Sequence, residues 1–276
     1  MKPRSLAEVP RYAILLLLAV LFLVPFYLIA RNALMTDDQI TALHWAWLPT
    51  VPHWDNFAKL FSDPMAPMLT GLVNSAVIAV VTLVLQMLFS SMAGYALARI
   101  PARGRGIVFS VILATLMIPS AVTFVPTFAV TAYLGGVNTR WGIIAPGLFS
   151  AFSIFLFRQF YLRFPTEIEE AGRLDGLGYF GVYWRLLLPN STSILMALGV
   201  LTFIGSWNSF LWPLVIGQDP SAWTVQVVLS TFLTSQTQNL AQLFAAAAVG
   251  VLPLVLVFLV MQRYIVAGAK FSGGKE

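Results

Sequence analysis

Five charged side chains crowd into nine consecutive positions of this chain: Glu167, Glu169, Glu170, Arg173 and Asp175, with Ala171, Gly172 and Gly176 set among them. Neither histidine nor cysteine stands in the run, so it completes no acid–base or metal constellation. The chemistry open to it is recognition. Pro165 and Thr166 start a helix whose opening turns hold the three glutamates, where negative charge suits the helix dipole. Ile168, Ala171 and Gly172, at i, i+3 and i+4, make a narrow face of small bulk that another protein can approach closely. Asp175-Gly176 breaks the helix, and residues 179–188 resume it up to Pro189. A helical hairpin lying on a lipid surface is the other reading, disfavoured by three acids in four positions facing an anionic leaflet.

Other chemistries are excluded by what is missing. The chain has no cysteine, hence no disulfide, thiol nucleophile or cysteine metal site. His44 and His53 stand nine apart in one polar segment, which is not metal-ligand spacing. The nearest approach to a phosphate-binding loop, Gly268 to Glu276, follows its second glycine, Gly273, with Gly274 rather than lysine, and no Ser or Thr follows Lys275. The net charge of +5 is spread over loops without a basic run, which argues against nucleic acid as a partner.

These residues must be carried by a membrane protein. Hydrophobic residues make up 59% of the chain and charged ones 10%, against about a quarter charged in a soluble domain. Charge-poor runs predict six spans over 12–30, 72–98, 107–130, 142–162, 191–217 and 243–264, the first a retained anchor. Polar segments 32–70 and 218–242 lie on one side, and the segment 165–189 on the other. Thirteen of the sixteen lysines and arginines fall on the side of the termini and the charged hairpin, leaving Arg31, Lys59 and Arg140 opposite. The excess of basic residues on cytoplasmic faces therefore predicts both termini and the hairpin inside. Trp45, Trp47 and Trp54 read as interface anchors, with partner contact the alternative.

The spans carry no acidic or basic residue away from their ends, which argues against an ion-coupled secondary transporter. A membrane-embedded enzyme lacks its constellation for the same reason. Polar residues within the spans are neutral: Asn74, Ser75, Gln86, Ser90, Ser91, Ser206, Trp207 and Asn208. Two readings stay open. They are interhelical glue, worth about 0.6 kcal/mol per hydrogen bond, or Asn74, Ser206, Trp207 and Asn208 line a path for a hydroxylated solute. In that path Trp207 stacks on an apolar sugar face and Asn208 offers a donor and an acceptor. Asn190-Ser191-Thr192 fits a glycosylation sequon, but after Pro189 and on the inner side it reads as a helix N-cap.

Glu170-Ala171-Gly172, three residues, Gly176, nine residues, then Leu186-Leu187-Leu188-Pro189 resembles the EAA loop of ABC-transporter permeases. That pattern is E-A-A, three residues, G, nine residues, I-x-L-P; Gly172 replaces its second alanine and Leu186 its isoleucine. The segment from Trp207-Asn208 to Trp212-Pro213 resembles the W-N-x-F-x-x-P-L of carbohydrate-uptake permeases. Asn74-Ser75, Gly94-Tyr95 with Arg99, Thr224-Val225 and Gln262-Arg263-Tyr264 with Gly268 extend the likeness over nearly the whole chain. The resemblance implies an all-α, six-span permease of a type I ABC importer, forming one transmembrane domain over 1–276 in the cytoplasmic membrane. It implies a coupling loop in which Glu169, Glu170, Ala171, Gly172, Asp175, Gly176 and Pro189 meet an ATPase. The implied partners are a second permease in a heterodimer, two ATP-binding subunits and an extracytoplasmic solute-binding protein, in membrane lipid. No cofactor, metal or catalysis belongs to the chain itself. The implied solute is a sugar or related polar compound: an oligosaccharide, a polyol or a glycerol phosphate.

Overall fold

Apolar runs become helices here because lipid leaves a backbone no other partner than itself. A computed structural model describes residues 8–233 and 239–273, and every regular element in it is helical. The helices are α1 Glu8–Asn32, α2 Asp37–Thr41, α3 Asp55–Ser62, α4 Met68–Arg99, α5 Arg105–Thr115, α6 Ser120–Tyr133, α7 Arg140–Ile144 and α8 Ala151–Leu162. They continue as α9 Thr166–Leu174, α10 Tyr179–Val182, α11 Leu188–Asn190, α12 Thr192–Trp207, α13 Leu211–Ile216, α14 Val225–Thr231 and α15 Leu240–Gly273.

Three helices, α1, α4 and α15, hold stretches long and apolar enough to cross a bilayer unaided, at 23, 32 and 21 residues. Three bent pairs bring the spans to six if each counts as one: α5 with α6 at 100°, α7 and its 3-10 extension with α8 at 44°, and the α10–α11 segment with α12 at 75°. Proline explains where they bend. It has no N–H to donate and its ring collides with the carbonyl four residues earlier. Pro119 therefore stands as the N-cap of α6, and Pro146 falls in a short 3-10 turn after α7.

The same rule corrects the span expected over 191–217. Its helix stops at Trp207, and α13 restarts at Leu211 so that Pro213 falls in a first turn, where a missing N–H costs nothing. The polar segments expected over 32–70 and 218–242 are likewise more ordered than loops. The first holds α2 and α3, and the second holds a 3-10 turn at Pro220–Ala222 and then α14.

Two compact units divide the chain, 1–69 with 228–252, and 70–227 with 253–276. In the first unit, α1 is apolar on every side and none of its spanning window is buried. The stretch after it is pinned by hydrogen bonds. Arg31 Nε donates to Ala46 O at 2.6 Å with its guanidinium 4.3 Å from the Trp45 ring, and the Tyr27 hydroxyl donates to Trp47 O. The Asn56 amide donates to Ala33 O and Met35 O, and Asp37 accepts the Ala241 N–H at the start of α15, at 2.7 Å.

In the second unit, α4 and α8 pack backbone to backbone. A Cβ on Gly94 would lie 2.6 Å from Phe157 Cβ and 2.9 Å from Arg158 N. Beside this crossing a buried aromatic cluster forms from Tyr95, Phe157, Tyr161 and Tyr183, with Val182 and Leu187. Its hydroxyls are satisfied within the unit. Tyr183 shares a 2.7 Å hydrogen bond with Ser91 Oγ, and Tyr95 donates to Tyr179 O at 3.2 Å. Ser191 is the N-cap residue of α12 but makes no side-chain cap. Instead it is fully buried and its hydroxyl donates to Leu187 O at 2.6 Å.

Candidate functional site

The charged segment folds as the helix, turn and helix that its sequence predicts. α9 ends in a turn where Leu177 N–H donates to Gly172 O at 2.9 Å and Gly176 N–H to Arg173 O at 3.0 Å. These two bonds return orphan carbonyls to use, and they require a left-handed residue between them. Gly176 supplies it at φ +84°, with nothing within 4 Å of the place a Cβ would occupy. The need for glycine is therefore backbone conformation alone, not close approach.

α9 presents Glu167, Ile168, Glu170, Ala171 and Leu174 outward, Leu174 at 89% exposure. Glu169 and Gly172 turn inward, which corrects the expected docking face of Ile168, Ala171 and Gly172. Helical spacing brings 168 and 171 to the surface while 169 and 172 share the opposite side. A Cβ on Gly172 would lie 2.5 Å from Leu186 Cδ1 and 3.4 Å from Leu177 Cδ1. The two departures from the E-A-A and I-x-L-P pattern are thus in contact: the leucine tip fills the space that an alanine methyl would take.

Glu169 is 4% exposed, with Oε1 3.0 Å from Arg99 Nε and Oε2 3.8 Å from Arg173. Arg99 also donates from Nε to Tyr161 O at 2.9 Å and from a second nitrogen to Phe164 O. Burial pushes the Glu169 carboxyl up from the usual carboxylate range, against the opposing pull of Arg99 and Arg173. Arg173 lies 4.7 Å from the Tyr179 ring centroid. Asp175 is exposed and closes α9 as its C-cap residue, its N–H donating to Ala171 O at 3.0 Å. Downstream, residues Tyr183–Leu187 form a π-helical turn before Pro189, with Leu188 N–H reaching Tyr183 O. A wider turn there accommodates a proline that cannot donate to Arg185.

A cavity of about 490 Å³ lies between α4, α8, α12 and α13 in the same unit. Its polar lining is Thr82, Gln86, Ser150, Ser153, Thr202, Ser206 and Ser209, and among the described residues it has one tryptophan, Trp212, and no acidic or basic side chain. The Gln86 amide donates to Ser153 Oγ at 3.3 Å, and Trp212 Nε1 to Gly142 O at 3.2 Å.

Of the four residues read as a path, Ser206 alone borders this cavity. Trp207, one residue and 100° further round α12, is 2% exposed and stacks on Phe203 at 5.8 Å. Asn74 is fully buried, donating to Ser221 O and Trp223 O and accepting from Arg140 Nε, each at 2.8 Å. Asn208 is exposed and accepts from Gln226 at 3.3 Å. Asn74 therefore staples the 3-10 turn to α4, and Trp212 takes the bordering position expected of Trp207. Arg99 escaped notice as more than an orienting charge; its place at the end of the Gly94-Tyr95 segment was the available signal.

Residues 86–270 match the family described as binding-protein-dependent transport system inner membrane component. The arabinooligosaccharides transport system permease protein AraQ of Halalkalibacterium halodurans is 36% identical over 227 residues, covering 82% of this chain and 81% of that one. The lactose transport system permease protein LacG of Rhizobium radiobacter is 33% identical, with 96% of each chain covered. The sn-glycerol-3-phosphate transport system permease protein UgpE of Yersinia enterocolitica is also 33% identical, over 93% of this chain and 94% of that one. In fold, the chain superimposes with a TM-score of 0.82, at 21% identity, on the crystal structure of a bacterial ABC transporter involved in import of the acidic polysaccharide alginate, covering 96% and 99% of the two chains. The chain belongs to the binding-protein-dependent transport system inner membrane components and is a multi-pass membrane permease subunit.

Proposed function

We propose that this chain is one of two related permeases in an ATP-driven importer for a neutral, hydroxylated solute of the sugar class. Its other partners are two ATP-binding subunits inside and a solute-binding protein outside. Both termini and the 165–189 hairpin face the cytoplasm. The chain performs no chemistry. ATP-driven closure of the ATPase pair moves the hairpin, and the spans alternate their opening about the path. The single observation that carries this reading is the exposed stripe of Glu167, Glu170, Ala171 and Leu174 on a helix whose other side is packed against its own unit. That stripe offers carboxylates and an apolar knob to a basic, apolar cleft, and no described residue of the unit covers it.

The solute class rests on the cavity and on the relatives. Two of those relatives are named for sugars, and the lining is rich in hydroxyls with an amide, an aromatic ring and no cation. An anion such as a glycerol phosphate would need a positive partner that this lining lacks. An ion-coupled carrier or membrane enzyme finds no titratable group there to work with.

The test is uptake into vesicles holding the complete importer, with arabinooligosaccharides, lactose and sn-glycerol-3-phosphate first screened on the cognate binding protein by thermal shift. Uptake should require ATP and survive a protonophore at constant ATP. Glu170→Ala and Gly176→Asp should insert normally, and both should lose uptake, Gly176→Asp the more severely because it adds strain at a left-handed position beside Asp175. Wild-type transport by both variants and their double mutant, with the ATPase bound, would remove the hairpin from the coupling step.

A further inference from the structure

A guanidinium that bridges three separate elements is an expensive arrangement unless position matters. Arg99 closes α4 and donates to Tyr161 O and Phe164 O, carbonyls at and just past the end of α8. The C-terminal end of a helix carries partial negative charge, so a cation is favoured there. Beside it, the Glu169 carboxylate reaches in from α9 to 3.0 Å from Arg99 Nε. Glu169 Oε1 nevertheless makes no in-line hydrogen bond, because the Nε hydrogen points at Tyr161 O. The contact between α9 and the two membrane helices is therefore a buried charge pair without a directional lock.

We propose that Arg99 and Glu169 are positioning residues that form the strut through which α9 displaces α4 and α8. The inference rests on the hairpin being the ATPase contact, and it goes beyond that reading. Docking belongs to the outward face of α9; transmission belongs to this inward pair. Arg173, which faces the second oxygen of Glu169 at 3.8 Å with 44% of its side chain exposed, steadies the carboxylate from within the hairpin.

Stability and transmission separate at this pair. The folded-state pKa of Glu169 is raised, so the folded protein holds the proton more tightly than the unfolded chain does. Its contribution is greatest in acid and is lost as pH rises through the folded value, so the ionised carboxylate is kept at a net cost. Replacing the carboxylate with an isosteric amide removes that cost but also takes the counter-ion from Arg99, and losing one partner of a buried pair is destabilising; the two carbonyls that still accept from Arg99 limit the loss.

The experiment measures solute taken up per ATP hydrolysed in the complete, reconstituted importer carrying Glu169→Gln, Arg99→Lys or both. Lysine keeps the charge at 99 but its single nitrogen cannot span the positions that Arg99 reaches with Nε and a terminal nitrogen. Each single variant should assemble with its ATPase in normal amount, and Glu169→Gln, in which Arg99 keeps its two carbonyl acceptors, should melt only slightly below the wild type. Uptake per ATP should fall about tenfold in each, with the double variant no worse than the poorer single one. Unchanged uptake per ATP would overturn the strut. Loss of the ATPase from either variant would make the pair part of the docking surface and overturn it equally. In both cases the coupling role of the hairpin would still be judged separately, by the outward Glu170 and Gly176 variants.

Discussion

Between Gly172 and Leu186 the hairpin has no room for one more methyl group. A Cβ at 172 would stand 2.5 Å from the leucine tip, closer than carbon atoms approach without displacement. Alanine would add roughly 1 kcal/mol of helix propensity at this position, while overpacking costs typically about 1–3 kcal/mol. The sign of Gly172→Ala is therefore set by whether Leu186 can withdraw. Val182 and Leu177 also surround the site, so we expect a net loss. Leu186→Ile shortens the reach toward α9, and the double variant Gly172→Ala/Leu186→Ile should recover the loss. Thermal unfolding of the purified complex measures this as a coupling of about 0.5–3 kcal/mol between the two sites. Additive effects would mean that the two residues do not share the space.

Elements differ in how far a sequence can announce them. α1, α4 and α15 were visible because a run without charges must cross lipid as a helix, and only their ends moved. The bent pairs were not visible as bends. Pro119, Pro146 and Pro189 mark where a helix is weak, but the direction taken depends on what packs alongside. Gly176 was legible because its left-handed role is local, between α9 and the turn that follows. Trp207 was misplaced because motif order says nothing about which side of α12 faces the cavity. Crossing geometry gives a prediction at this scale. Gly94→Ala drives a methyl into Phe157 Cβ and the Arg158 backbone, and backbone cannot rotate away as a side-chain tip can. Gly205, in α12, has nothing within 4 Å of its missing Cβ. Gly94→Ala should therefore lower the melting temperature and the yield of assembled complex, while Gly205→Ala should leave both unchanged or slightly raised. Equal behaviour of the two variants would show that α4 and α8 are not held at this contact.

At the scale of the molecule, α1 keeps an apolar surface that no described residue of its own unit covers. Leu16, Leu17, Leu21 and Phe22 on α1 are all more than 60% exposed. In water such a surface would aggregate; in a bilayer it is the solvated face. What composition cannot fix is which way up that face is read, and here charge decides. On the six proposed spans, thirteen of sixteen basic residues fall on one side, the side that the positive-inside rule assigns to the cytoplasm. The proposed topology puts the hairpin and Arg103 on the cytoplasmic side and Asp55, in α3, on the outer side. Arg103, Gly178 and Asp55 are all exposed, and the chain has no native cysteine, so single cysteines at these positions can be labelled one at a time. With a membrane-impermeant maleimide on intact cells, Asp55→Cys should react, whereas Arg103→Cys and Gly178→Cys should react only after the membrane is opened. Gly178 decides the matter, since it lies in the turn between α9 and α10. Labelling there from outside would put the exposed face of Glu170 and Leu174 beyond the reach of any ATP-binding subunit, and the importer mechanism would have to be abandoned with it.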